Sequence, residues 1–161
     1  MKLLEDYLLD HPKNSLAQAQ LLRLRACSLA PQELQEDVET LMELGEEVSD
    51  DLLPDYIESL LETAQGGKAR DIVLKRLPRL DARSAARIAW VCYHLQAYDL
   101  ALQLFQCASP ENRTNFKFIA AMETSADRCG RIDELIRLYN AYASDDKRLY
   151  GRIRRLKSRV R

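Results

Sequence analysis

The chain contains few of the residues that interrupt helices or favour strands. Glycine and proline number five each in 161 residues, and long stretches carry neither. Valine and threonine are sparse, whereas leucine, alanine, arginine, glutamate and glutamine, all good helix formers, are common. These proportions argue against a strand-rich protein. They predict an all-α fold of helices joined by short turns, in a chain whose length fits one domain.

Long apolar segments are also missing. No run of about 18 apolar residues exists, so we expect no membrane-spanning helix. Glu5 and Asp6 stand where a signal peptide would continue its apolar stretch, which favours a cytoplasmic location. The four cysteines (Cys27, Cys92, Cys107 and Cys129) show no CxxC spacing, and only two histidines accompany them. Reduced thiols are therefore expected instead of a disulfide framework or metal site.

The sequence carries no recognisable catalytic motif. It has no glycine-rich phosphate loop, no HExxH and no GxSxG. Cys92 and His94 are close in sequence, but side chains two positions apart on a helix point in different directions. We expect neither enzymatic activity nor a bound cofactor.

The formal net charge of −1 hides a separation of charge along the chain. Residues 26–67 hold twelve acids and no lysine or arginine, whereas residues 68–161 hold twenty basic residues against ten acids. This asymmetry indicates different partners at the two ends, or association of the acidic middle of one copy with the basic end of another. A solvated charged surface is the alternative interpretation. The acids of residues 43–55 lack the spacing of a calcium-binding loop.

Helix start and stop signals divide the chain into about ten helices. Pro12 ends the first, because the residue before a proline avoids the α region. We expect one helical domain over residues 1–161, made of the following parts: a leading helix at 1–11, helical hairpins at about 14–45, 50–78, 81–109 and 110–143, and a basic C-terminal helix at 144–161.

Several boundaries rest on single residues. Asn14 or Ser15 and Asp81 are expected N-caps, and Ser49 or Asp50 is expected to cap the fourth helix. Gly66-Gly67 is expected to break the chain. Ser109-Pro110 is expected to start the eighth helix, because proline is favoured in a first turn. Ser144, Asp145 and Asp146 suit the positive end of the last helix.

A repeat emerges when the sequence is shifted by 34 residues. The segment LQAYDLALQLFQCA (95–108) then meets CGRIDELIRLYNAYA (129–143). Tyr98 falls on Ile132, Leu102 on Ile136 and Phe105 on Tyr139. The segment resembles a tetratricopeptide repeat, a 34-residue helix–turn–helix unit, best over residues 82–110 and more weakly over 116–149.

The better unit carries the small and aromatic residues of that family at its turn and helix contacts: Ala89, Leu95, Tyr98, Ala101, Phe105 and Ala108. In the weaker unit Leu135 and Glu123 depart from the pattern. The resemblance implies hairpins stacked as a right-handed superhelix, although other α-solenoids, including the pentatricopeptide type, remain alternatives.

The resemblance also implies a concave groove lined by the first helix of each hairpin. Its expected lining comprises Arg83, Arg87, Trp90, Tyr93 and His94, followed by Lys117 and Arg128. Tryptophan, tyrosine and arginine dominate interface hot spots. The alternative is that Trp90 and Tyr93 are core residues. Ala86 and Trp90 occupy the places of a lysine and an asparagine that grip chaperone tails in some members, so that clamp is absent.

The C-terminal helix offers a second candidate surface. Leu149, Ile153, Leu156 and Val160 recur at helical spacing and are expected to dock on the last hairpin. The other face carries Lys147, Arg148, Arg152, Arg154, Arg155, Lys157, Arg159 and Arg161. Besides plain capping, this basic patch suits an acidic protein or RNA. Membrane binding is disfavoured because the stripe lacks Trp or Phe anchors.

Two functions follow from these patterns. The first is a protein-interaction adaptor or dedicated chaperone that holds a peptide or helix in the groove around Trp90. The second is an RNA-associated helical-repeat protein that uses its arginine-rich C-terminal helix.

Overall fold

Helices account for the fold, as the residue usage predicts. The structure is a computed structural model that describes residues 2–143 and 146–159. These residues form ten α-helices and two short 3-10 helices, and contain no β-strand. The α-helices are α1 Lys2–Asp10, α2 Ser15–Arg25, α3 Pro31–Glu43, α4 Leu53–Glu62, α5 Gly66–Arg76, α6 Ala82–His94, α7 Tyr98–Asn112, α8 Phe116–Arg128, α9 Ile132–Tyr142 and α10 Arg148–Lys157. The 3-10 helices are Ala26–Ser28 and Leu77–Arg79. The all-α prediction is confirmed.

The chain divides into two compact units at residues 80 and 81. The first unit contains α1 to α5, and the second contains α6 to α10. Inside each unit, every helix contacts the next one along the chain. The stacking of the hairpins into one right-handed superhelix stays a prediction.

The first unit is built around α3 and α4. Val38, Ile57 and Leu60 are fully buried in its core. A buried polar contact crosses the same interface, where Gln35 Nε2 donates to the Ser59 carbonyl oxygen at 2.8 Å and to Thr63 Oγ1 at 2.9 Å. Because buried polar groups must be hydrogen-bonded, this contact fixes the alignment of α3 against α4 as well as stabilising it.

Two arginines of the first unit pair with the acids of residues 46–51. Arg76 Nη1 lies 3.0 Å from Glu47 Oε2, and Arg76 Nη2 lies 2.6 Å from Asp50 Oδ1. The same Nη2 donates to the Val48 carbonyl oxygen at 2.9 Å, and Arg23 pairs with Asp51. Much of the negative charge at residues 46–51 is therefore balanced within the unit itself.

Four helices end in the same hydrogen-bonded turn. The residue after each helix cap has a positive φ: Gly45, Ala64, Gln96 and Gly130. At Gln96, for example, the Gln96 N–H donates to Tyr93 O at 3.1 Å and the Ala97 N–H to Cys92 O at 2.8 Å. This pair of bonds is the Schellman motif. The last two turns lie 34 residues apart, so the backbone repeats at the interval found in the sequence.

The expected helix start at Ser109-Pro110 is wrong. Pro110 lies inside α7, which continues to Asn112. Proline has no N–H for the Gln106 carbonyl oxygen, and the Ser109 hydroxyl donates to that oxygen at 2.8 Å instead. The following helix begins at Phe116, where Asn115 Oδ1 accepts the Phe118 N–H, so the last hairpin starts later than residue 110.

Two further boundaries differ from the prediction. The chain turns at Ala64, and Gly66 and Gly67 form the first turn of α5 instead of a break. Helix α4 begins at Leu53 without a side-chain cap, because the Ser49 carbonyl oxygen accepts the Leu53 N–H at 2.9 Å. The N-caps at Asn14 and Asp81 are confirmed. Ser144 and Asp145 lie outside the described residues.

Helix α2 buries a different face from the one that the sequence predicts. Helical spacing predicts one apolar face made of Leu16, Ala19, Leu22, Ala26 and Leu29. Leu16 is nevertheless 67% exposed, and its neighbour Ala17 is buried instead. Ser15 Oγ donates to Glu46 Oε1 at 2.7 Å, which turns this end of the helix toward the loop after α3. Leu22 and Ala26 are buried as expected.

We predict that Ala64→Gly stabilises the protein. Ala64 has φ 60°, a left-handed conformation that costs an L-residue about 1–2 kcal/mol, whereas glycine adopts it freely. Part of this gain is offset by the greater freedom of glycine in the unfolded chain. A net increase of about 0.5–1 kcal/mol in the free energy of unfolding is expected by urea denaturation. The matched control is Gly130→Ala, which places alanine at φ 70° and should lower the free energy of unfolding by a similar amount. No atom lies within 4 Å of the new Cβ, so a steric clash does not add to this loss. Destabilisation by Ala64→Gly would contradict the turn geometry.

We also predict a graded reactivity of the four thiols. Burial, with a smaller contribution from the Asp99 charge, raises the pKa of the Cys92 thiol to about 12, so at pH 8 it is protonated and shielded. Cys27 is exposed. Timed alkylation with mass mapping should modify Cys27 first and Cys92 only after urea is added. Rapid labelling of Cys92 in the native protein would contradict its burial.

Candidate functional site

Helix α6 provides the first candidate surface, and its position is fixed at its start. Asp81 Oδ1 accepts the Ser84 N–H at 2.6 Å, and this hydrogen bond holds the pKa of the Asp81 carboxyl below its usual range. Ala89 of α6 and Ala101 of α7 are fully buried. Side chains this small let the two helices approach closely, as the repeat pattern predicts.

Trp90 belongs partly to the core and partly to the surface. It is half-buried, and its ring meets the fully buried Phe105 ring edge-on, with the two ring centroids 5.4 Å apart. Its ring centroid also lies 5.9 Å from that of His94, which stacks with it, and 5.8 Å from that of Tyr93, which it meets edge-on. Aromatic pairs in such geometries are attractive, so these contacts restrict the orientation of the indole.

The remaining predicted residues of α6 lie on the surface. Arg83, Arg87 and His94 are exposed, and Tyr93 is half-buried. Positions 83, 87, 90 and 94 are three or four residues apart, so they share one face of the helix. We call Arg83, Arg87, Trp90, Tyr93 and His94 the α6 stripe. The structure therefore brings the first five predicted groove residues together.

The second candidate surface depends on the docking of α10. Leu149, Ile153 and Leu156 are buried, so the apolar stripe of the C-terminal helix packs into the second unit as predicted. Val160, the last expected member of that stripe, lies outside the described residues. The stripe positions the basic residues of α10 beside α8 and α9.

A buried carboxylate ties α10 to its neighbours. Glu123 of α8 accepts hydrogen bonds from Arg152 Nη1 at 2.8 Å and from Arg155 Nη2 at 2.6 Å. The Tyr139 hydroxyl of α9 also donates to Glu123 Oε1 at 3.4 Å. Burial and the Glu123 charge raise the pKa of Tyr139 above its usual range. Glu123 therefore joins three helices, which explains why an acid stands where the repeat pattern has a small residue.

The basic patch is consequently smaller than the sequence predicts. Arg152 and Arg155 point to Glu123, and Arg148 forms two 2.9 Å hydrogen bonds to Asp146 that lower the pKa of that carboxyl. The members that remain exposed without an ion pair to any described residue are Lys147, Arg154, Lys157 and Arg159. Arg161 lies outside the described residues. The expectation of eight free outward charges is therefore wrong in part: Arg148 and Arg155 are exposed but paired, and Arg152 is half-buried.

Helices α8 and α10 form an open cleft of about 620 Å³ in the second unit. We call it the α8–α10 cleft; its lining residues are Phe116, Ala120, Glu123, Thr124, Asp127, Arg128, Arg152, Arg155 and Arg159. Arg128 was expected in the groove, and the other three arginines in the basic patch. The structure thus merges parts of two predicted sites. Lys117 is exposed on α8 but does not line the cleft.

No pattern in the sequence predicts the α8–α10 cleft. Glu123 and Arg152 are 29 residues apart, and no local spacing pairs them. Phe116 carries no motif of its own, although it is 70% exposed and its ring centroid lies 5.3 Å from the Arg152 guanidinium. The sequence signal that could have pointed to Phe116 is its position directly after Asn115, the N-cap of α8.

Residues 2–143 and 146–159 contain no group of three His, Cys, Asp or Glu side chains arranged to hold a metal ion. None of the helices in those ranges has both the length and the hydropathy needed to cross a bilayer.

Comparison with protein-family models, curated proteins and solved structures finds no match to the chain.

We predict that Glu123→Gln destabilises the second unit. The substitution leaves Arg152 and Arg155 without their carboxylate, and charge-assisted hydrogen bonds of this kind contribute about 1.5–3 kcal/mol. We expect the free energy of unfolding to fall by about 2–3 kcal/mol. Hydrogen exchange should quicken most in α10.

The matched control is Glu134→Gln. Glu134 pairs with Arg131 at 2.6 Å on the surface of α9, where such pairs contribute about 0–1 kcal/mol. Equal losses in the two variants would show that Glu123 has no special role in holding α10.

Proposed function

We propose that this protein is a non-enzymatic cytoplasmic adaptor or dedicated chaperone that binds a peptide or helix of a protein partner along the α6 stripe. The observation that carries the proposal is Trp90, a half-buried indole that meets the buried Phe105 ring edge-on and stacks with the exposed His94 ring. An aromatic surface that is already ordered loses little side-chain entropy when a partner binds.

The chemistry of the α6 stripe favours a particular kind of segment. Trp90 and Tyr93 offer apolar contact area, and Arg83 adds a cation two turns from Trp90 along the same face. Tryptophan, tyrosine and arginine are the residues most often found at interface hot spots. A segment whose acidic side chain lies about 10 Å from an apolar one would match this order. The resemblance to tetratricopeptide repeats, which use the same helix face, supports the proposal.

The RNA-associated alternative receives less support. Three arginines of the C-terminal helix form internal pairs with Glu123 or Asp146, which lowers the number of cations available to phosphates. Phosphate contacts would also make binding strongly salt-dependent. Contact through apolar burial at Trp90 would depend on salt only weakly.

Site-specific photo-crosslinking tests the proposal. A photoreactive amino acid placed at Arg83 or His94 should capture a defined protein from source-cell lysate, in the presence of nuclease and at high salt. The matched control places it at Arg137, which is exposed on α9 of the same unit. Capture at Arg137 alone, or loss of the captured material after nuclease treatment, would refute binding at the α6 stripe.

Trp90 provides a second measurement, because it is the only tryptophan in the chain. A captured partner peptide should shift its fluorescence emission to shorter wavelength as the indole is shielded from water. His94→Ala, which changes an exposed side chain, should weaken binding several-fold without changing thermal stability much. An unchanged emission at saturating peptide would place the binding site elsewhere.

A further inference from the structure

The α8–α10 cleft collects positive charge from two helices that are far apart in sequence. Arg128 comes from the last turn of α8, and Arg152, Arg155 and Arg159 come from α10 or its end. We propose that this cleft binds an acidic segment of a protein, with its carboxylates on the arginines and an apolar side chain against Phe116. The inference concerns helices other than α6 and goes beyond the function proposed above.

The charge of the cleft favours an anionic ligand. Four arginines face two acids, Glu123 and Asp127. Glu123 is already paired with two of the arginines, so it balances part of their charge. The unpaired positive charge is greatest at Arg128 and Arg159, which are exposed. Guanidinium groups bind carboxylates through two parallel hydrogen bonds, which gives both affinity and direction.

Glu123 orients the two central arginines. It accepts one N–H from Arg152 and one from Arg155. A guanidinium has five N–H donors, so each arginine keeps others for a ligand. The Arg155 side chain remains 52% exposed and the Arg152 side chain 19% exposed. Because their positions are fixed before binding, less conformational entropy is lost when a carboxylate arrives.

Phe116 gives the cleft an apolar contact beside the charges. Its ring is largely exposed and lies 5.3 Å from the Arg152 guanidinium, a cation–π arrangement that holds both groups. The small side chains of Ala120 and Thr124 line the space between the two helices. An acidic segment with an apolar residue therefore fits the cleft better than a free inorganic anion.

Asp127 favours a peptide over a nucleic acid. Its carboxylate lies in the cleft wall, where it repels any anion placed against it. A peptide can place a backbone N–H there and keep its carboxylates on the arginines, whereas a nucleic acid carries a negative charge at every nucleotide. Nucleic acid is consequently the competing ligand in the test.

Fluorescence anisotropy with the full chain tests the inference. The probe is a labelled peptide of alternating glutamate and leucine, and its counterpart has glutamine in place of glutamate. The double variant Arg128→Gln/Arg159→Gln should bind the acidic peptide about tenfold more weakly, since it lacks two charge-assisted contacts. Circular dichroism checks that the variant is folded.

The matched control is Arg154→Gln/Lys157→Gln. Both residues are exposed on α10 and line a different surface depression with Tyr150 and Ser158, so this variant removes the same charge outside the cleft. Its affinity for the peptide should stay within about twofold of the unaltered protein, since only long-range attraction changes.

Three results would overturn the inference. One is an equal loss in the two double variants, which would indicate non-specific attraction. Another is equal binding of the glutamine peptide. The third is a single-stranded RNA that binds more tightly than the acidic peptide and loses affinity through Arg128 and Arg159. Peptide binding that leaves Trp90 emission unchanged supports the cleft without testing the α6 stripe, so the two proposals can fail separately.

Discussion

The second unit depends on one buried carboxylate. Glu123 is the acceptor for two guanidinium groups and one phenol, and these donors come from α9 and α10. An isolated charge in this position would be strongly unfavourable, because burial removes its hydration. With its partners it fixes α10 in the position that buries Leu149, Ile153 and Leu156 and that creates the α8–α10 cleft. Arg152 and Arg155 therefore take part both in the docking of α10 and in the proposed binding of an acidic segment.

The α6 stripe shows how a core residue also serves a surface. Phe105 is fully buried, and its ring centroid lies 5.4 Å from that of Trp90 and 4.9 Å from that of Phe118 of α8. The aromatic contacts thus run through α6, α7 and α8, and the half-buried Trp90 ring lies at their edge. Core packing and peptide binding were alternatives for Trp90 in the sequence. The structure shows that its packing leaves part of the ring accessible, so the two roles are compatible.

Predictions from local patterns succeeded where the physical cause is local. Asp81 and Asn14 cap helices because a short polar side chain reaches an N–H three residues ahead. Predictions at Pro110 and at Gly66 failed because nearby hydrogen bonds, which the residue types alone do not indicate, decided the backbone. Ser109 supplies a hydrogen bond for the carbonyl oxygen that Pro110 cannot satisfy, and the Ser109 hydroxyl also contacts Tyr142 of α9 at 3.1 Å. At Ala64 the hydrogen bonds of the turn stabilise a positive φ, which alanine does not favour by itself.

The sequence by itself determined the helical class, most helix positions and the 34-residue interval, because helix propensity, capping and periodicity act over a few neighbouring residues. It also placed Trp90 and its companions on one face of α6. Only the tertiary structure decided which charges meet: Glu123 receives arginines about thirty residues away, and Arg76 turns toward the acids of the first unit. Ion pairs depend on how helices approach each other in space, and a spacing along the chain does not contain that information.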